Sequence, residues 1–244
     1  MQRPLLRVYR YCRGDGSLTL AVVILIVFIF VLYPMVEVRA IERIWLDVAF
    51  AAFLALGAMF VFEPRPIVRL FVLTLVGVVG VGLIELVFPN PWLLALRAML
   101  TLLACFALGC LLLVRVMRDG RMNVNRIMGA IGTYLLIGLV FQQAYRLLAA
   151  FVAPAFAIGG VPASFDAIQL KLIYFSFITL TSTGYGDITP LHPYARSLAT
   201  LEALAGNLFL TVLVARLVGL ELAWREEQRA LRHELAGETP PGPD

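Results

Sequence analysis

The chain has 244 residues, of which 61% are hydrophobic and 15% charged, with a formal net charge of +4. Soluble domains run nearer to about 45–50% apolar and 25% charged, so a soluble fold cannot hide this much apolar surface, and the composition points to an integral membrane protein. Nearly all the positive charge is arginine, which in such a protein reflects topology and phospholipid contact rather than nucleic-acid binding.

Six segments have the roughly 20 apolar residues that a bilayer crossing needs: Ser17–Val36, Trp45–Phe62, Pro66–Phe88, Pro91–Val114, Ile127–Phe156 and Tyr194–Leu222. The first follows Arg3, Arg7, Arg10 and Arg13 and superficially resembles a signal peptide. Its apolar run, Leu18–Tyr33, is long for a cleaved leader and is read as a retained membrane helix. Phe88-Pro89-Asn90-Pro91 is a tight turn between the third and fourth segments. A seventh apolar stretch, Phe165–Leu180, is too short to cross and ends in a glycine-rich turn, as a re-entrant segment would. Glu221–Leu235 is charged and helix-prone, and Gly237–Asp244 is a Pro/Gly-rich end with no room for a regulatory module.

Arginine placement sets the expected orientation. One side receives the N-terminal arginines, Arg65 and Arg69, the group Arg115, Arg118, Arg121 and Arg126, and Arg225, Arg229 and Arg232. The other receives mainly Arg39, Arg43, Lys171 and Arg196. Both termini are therefore expected in the cytoplasm and the loop at 157–193 outside. Cys12, Cys105 and Cys110 do not form a disulfide pattern, and Cys105 and Cys110 read as small buried hydrophobes. His192 and His233 are too isolated in sequence to suggest a metal site, and no nucleophile–base pair suggests an enzyme.

The decisive stretch runs from Phe165 through Thr179-Leu180-Thr181-Ser182-Thr183-Gly184-Tyr185-Gly186-Asp187 to Pro190. A dehydrated cation needs rings of oxygens in place of its water, and stacked backbone carbonyls supply them. Turning successive carbonyls to one axis requires right- and left-handed φ values to alternate, and Gly184 and Gly186 permit the left-handed positions.

This stretch resembles the pore helix and filter of the tetrameric potassium channels, whose pattern is Thr-x-Thr-Thr-Val-Gly-Tyr-Gly-Asp. Pore helix, filter and following span make up roughly a third of the chain. The resemblance implies an all-α membrane protein of six transmembrane helices plus a re-entrant pore helix, assembled as a homotetramer that conducts K⁺ passively. It implies carbonyl rings from Ser182, Thr183, Gly184 and Tyr185, flanked by Gly186, with the Ser182 hydroxyl innermost and K⁺ as the permeant ion. Thr179, Thr181, Tyr174 and Asp187 would support the filter. Ser182 and Thr183 stand where the family usually has Thr and Val. Ile178 stands where some members carry a glutamate that pairs with the filter aspartate, so Asp187 is expected to turn to the Tyr174 hydroxyl.

By the same resemblance the chain divides into a cytoplasmic N-terminus (1–16), a four-helix domain in the voltage-sensor position (17–118), a cytoplasmic linker (119–126), a pore domain (127–222) and a short cytoplasmic tail (223–244). Within the pore domain lie the outer helix, pore helix 165–180, filter 181–187 and inner helix 194–222. The first four spans lack the every-third-residue arginines of a voltage sensor: the fourth carries Arg97, with Arg115 at its inner end, while Asp47 and Glu85 are isolated acids. They are read as a scaffold, with anionic lipid at the 115–126 arginines. Ser164 is placed to cap the pore helix. Gly206 is either a gating hinge or a packing contact. Glu202, an acid inside a span, is expected to brace the filter through Thr179 or a neighbouring pore helix, with proton sensing as the alternative. Asn207 and Thr211 are candidates for the cavity wall.

Overall fold

The computed structural model describes residues 16–38, 50, 65–88, 90–117 and 124–235. The expected second span, Arg3–Arg13, Cys12, most of the 119–126 linker and the end of the tail lie outside these. The helices are α1 (Gly16–Val27), a π turn (Phe28–Leu32), α2 (Tyr33–Glu37), α3 (Arg65–Val87), α4 (Pro91–Met117), α5 (Val124–Phe151), α6 (Phe165–Ile168), α7 (Leu172–Leu180) and α8 (Pro193–Leu235). Three short strands are β1 (Phe156–Ile158), β2 (Val161–Pro162) and β3 (Ile188–Pro190). Among the described residues four helical stretches are long and apolar enough to cross a membrane: Thr19–Glu37, Trp92–Val114, Ile127–Phe151 and Pro193–Gly219. In α3 the apolar stretch, Leu73–Glu85, is shorter.

The first span widens where its sequence forces it to. Pro34 has no N–H to continue the α pattern, and its ring crowds the carbonyl one turn back. The N–H of Tyr33 reaches Phe28 O instead, one residue further than in an α-helix, which is the π arrangement. Around this turn lies one core, with Leu25, Phe28 and Ile29 packed against Ala104, Cys105 and Leu108 of α4 and Leu136 and Leu139 of α5. A second core joins α5, β1 and α7, where Tyr145, Phe156 and Phe175 meet edge to face at centroid distances of 5.1–5.7 Å.

The fold is mostly helical, as expected, with one small addition. The loop over 157–193 carries a three-stranded antiparallel sheet in the order β2-β1-β3. Pro154 cannot continue α5, so the helix ends at Phe151 rather than Phe156. Gly159 and Gly160, at φ +56° and +82°, close a two-residue hairpin that sets Ile158 opposite Val161, as a mirror-image turn requires. On its other edge β1 pairs Phe156, Ala157 and Ile158 with Pro190, Thr189 and Ile188. The sheet thus ties the entry of the pore helix to the exit of the 181–187 stretch, and Gly159 N–H donates to the Asp187 carbonyl at 2.7 Å.

Two further boundaries differ. The stretch 165–180, expected as one pore helix, is broken into α6 and α7 at Gln169–Lys171, where Lys171 N–H turns back to Ile168 O. Ser164 holds the N-cap position with an extended backbone, but its side chain makes no capping bond. The last helix runs on past Leu222 to Leu235, because Glu221–Leu235 contains no glycine or proline to stop it.

Candidate pore and filter

The 181–187 segment follows directly from the C-terminal end of α7. The helix is extended by one tight turn: Thr181 N–H donates to Phe177 O at 3.1 Å and Ser182 N–H to Thr179 O at 2.9 Å. The N–H groups of Thr183 and Gly184 both turn back to Ile178 O, at 2.8 and 3.1 Å. The Thr181 hydroxyl donates to Phe177 O at 2.7 Å and lies 2.9 Å from the Thr183 hydroxyl. Thr179 closes its own turn onto Phe175 O at 2.8 Å.

The backbone reverses hand at every second residue. Ser182, Gly184 and Gly186 have φ of +56°, +54° and +81°. The two glycines adopt this conformation without steric cost. Ser182 is the only non-glycine with positive φ among the described residues, and a residue held there costs about 1–3 kcal/mol. Its side chain is tied from behind, because Asn207 Nδ2 of α8 donates to Ser182 Oγ at 3.1 Å. The Tyr174 hydroxyl lies beside the Asp187 carboxylate, and its ring stacks on that of Tyr185, with centroids 6.5 Å apart and planes within 3°. Tyr185 itself is 72% exposed in the single chain.

Behind this segment α8 runs alongside α7. Gly206 faces Leu180, and a Cβ at 206 would collide with the Leu180 carbonyl oxygen and come within 3.0 Å of its Cδ1. The same carbonyl accepts the Tyr134 hydroxyl of α5 at 3.3 Å. One turn earlier, Glu202 is completely buried. Its partners are Ser176 at 2.5 Å and Tyr145 at 2.6 Å, so the expected bond to Thr179 is not made. Ser176 Oγ also lies 2.7 Å from Gly138 O. Gly138 makes that approach possible, since a Cβ there would stand 2.9 Å from the Phe177 ring. Thr211 points its hydroxyl back to Asn207 O at 2.8 Å.

Ser176, Tyr145 and Asn207 are the residues whose part sequence reasoning missed. Ser176 and Tyr145 are polar groups inside apolar helices, and a buried polar group needs a partner. Each was a signal that pairing with Glu202 would have explained.

Away from the filter, Arg97 Nε lies 3.0 Å from Glu85 Oε2, joining α4 to α3. The contact is one of charge, without hydrogen-bond geometry at that oxygen. Lys171 pairs with Glu37 at 3.2 Å, with both side chains about 40% exposed. No group of three or more His, Cys, Asp or Glu among the described residues is placed to hold a metal.

Among the described residues, four helices long and apolar enough to cross a membrane, together with the short helix α7 and the segment that follows it, suit a membrane ion channel, and comparison with known proteins agrees. A family model described as an ion channel matches residues 133–220, from α5 through the 181–187 segment to α8. Protein LctB of Bacillus caldotenax is 34% identical over 107 residues, which cover 43% of this chain and 79% of that protein. The chain belongs to this ion-channel family. No solved structure matches significantly.

Proposed function

We propose that the protein is the subunit of a potassium-selective channel that conducts K⁺ passively and is not steeply voltage-gated. The carrying observation is the backbone that alternates in hand at Ser182, Gly184 and Gly186, at the end of a pore helix and within Thr-Ser-Thr-Gly-Tyr-Gly-Asp. Alternation of this kind lets consecutive carbonyls face one axis and replace a cation's hydration shell. On this reading Ser182, Thr183, Gly184 and Tyr185 supply the rings, Gly186 ends them, and Thr179, Thr181, Tyr174 and Asp187 hold the segment from behind. The C-terminal end of α7 adds its partial negative charge on the inner side.

One chain contributes one such segment, and a ring takes about four, so the working unit is a homotetramer with closed rotational symmetry. The subunit belongs in the plasma membrane with both termini in the cytoplasm, where the 115–126 arginines meet anionic headgroups.

The test is flux from liposomes loaded with K⁺, Rb⁺, Na⁺ or Li⁺. K⁺ and Rb⁺ are expected to pass and Na⁺ and Li⁺ to be excluded, with Gly184→Ala or Tyr185→Asp abolishing conduction or selectivity. Equal permeability to Na⁺ and K⁺ in the wild type would overturn the reading.

A further inference from the structure

The Glu202 site holds more oxygen contacts than its other members have protons to fill. Tyr145 Oη donates to Glu202 Oε2 at 2.6 Å. Glu202 Oε1 lies 2.5 Å from Ser176 Oγ, and Ser176 Oγ lies 2.7 Å from Gly138 O. Both of the latter distances lie in the O–H···O range of about 2.5–3.0 Å, so each contact needs its own hydrogen. A serine hydroxyl carries one hydrogen and a backbone carbonyl none. The Tyr145 hydrogen is committed to the other carboxyl oxygen. The missing hydrogen has one remaining source, the carboxyl group itself.

We propose that Glu202 is held as a neutral carboxylic acid, donating from Oε1 to Ser176, which passes its own hydrogen to Gly138 O. The result is a directed chain from α8 through α7 to α5, and it makes Glu202 and Ser176 positioning residues for the pore helix. An ionised Glu202 would leave two acceptor oxygens in contact with no hydrogen between them. It would also bury a charge completely, which is costly without pairing. The enclosure is made by one chain alone, since Glu202 has no exposed surface even before assembly.

The groups facing Glu202 fit a neutral acid. From α5 come Tyr145 and, further along, Tyr134. From α7 comes the Ser176 hydroxyl. β3, which also packs on α8, is Ile188-Thr189-Pro190 and carries no titratable group. Along α8, Arg196 is the nearest charge on the N-terminal side and turns away to Pro190 O at 3.2 Å. Raising the pH until this proton is lost leaves Ser176 with one hydrogen for two acceptors, and the link between α7 and α5 or α8 breaks.

The protonation claim stands apart from the channel reading, and only its effect on conduction rests on that reading. Infrared spectra of the whole protein in H₂O and D₂O should contain a protonated carboxylic-acid carbonyl band that Glu202→Gln removes and Ser176→Ala shifts. Potassium flux in the wild type should fall reversibly at alkaline pH. Glu202→Gln, whose amide can donate to Ser176 and accept from Tyr145, should restore flux that Glu202→Ala loses, and should not show the alkaline fall. A wild-type spectrum without the band, a band that survives Glu202→Gln, or a band indifferent to Ser176→Ala would overturn the protonation. Flux in Glu202→Gln as low as in Glu202→Ala, or unchanged by pH in the wild type, would overturn the positioning role. If Glu202→Gln does not fold, the Ser176→Ala spectrum still decides. A wild type that passes no potassium removes the channel reading, while the infrared bands still decide the protonation.

Discussion

A methyl group added at residue 206 meets the backbone of Leu180, which cannot swing aside as a flexible side chain would. Overpacking of that kind costs about 1–3 kcal/mol. Gly206→Ala is therefore expected to lower the melting temperature of the purified protein by several degrees. An unchanged melting temperature together with a lowered open probability would identify Gly206 as a hinge instead of a packing contact. The sequence made this glycine visible but left both roles open, because the choice depends on which atoms α7 brings opposite it. Glu202 was legible for a similar reason: an acid in a span is expensive wherever it lies. Its partners were not, since Ser176 and Tyr145 are 26 and 57 residues away along the chain. The backbone of the Gly-Tyr-Gly stretch was the most legible part, since Gly184 and Gly186 mark left-handed positions directly. The left-handed Ser182 has no such signature, and only the contact with Asn207 accounts for what steadies it.

At the scale of elements, long helices were readable from their apolar runs, while the short strands were not. Strands of two or three residues, as in β1, β2 and β3, are too brief for a period-two pattern to emerge. Nor did composition reveal the break at Gln169–Lys171, which depends on how α6 and α7 pack against their neighbours. The pairing of α3 with α4 carries a prediction about voltage. Arg97 and Glu85 are 12% and 18% exposed and lie 3.0 Å apart. Removing one member of a fully buried pair costs about 3–5 kcal/mol, because the other charge is stranded, and this partly buried pair is expected to cost less. Arg97→Gln should thus lower thermal stability, and Arg97→Gln with Glu85→Gln should recover much of the loss. Gating should scarcely notice either change. One charge crossing the full field is worth about 2.3 kcal/mol per 100 mV, whereas steep sensors move roughly 3–4 in each subunit, and this one is anchored to its counter-charge. The measurement is a conductance–voltage curve in planar bilayers. A steep sigmoid abolished by Arg97→Gln would show that α3 and α4 sense voltage after all.

For the whole molecule, the contrast between helices points toward assembly. The spanning part of α5 is 56% buried within the chain, but that of α8 only 11%. Leu201, Leu204, Leu208, Val212 and Val218 of α8 are all more than half exposed, so the last helix has little of its own chain to lie against. Every residue from Thr181 to Gly186 is exposed as well. On the tetramer reading, native mass spectrometry of the detergent-solubilised protein should give a particle of four copies, and a conducting monomer or dimer would refute it. The two apolar cores and the Glu202 chain, by contrast, close within one subunit. A newly inserted copy can therefore complete its interior while still having no hole through it. On the same tetramer reading, a cell making these subunits one at a time does not short-circuit its own membrane, and current begins only when copies meet. Its onset should depend steeply on how much protein has accumulated, so expression level itself sets a threshold for activity.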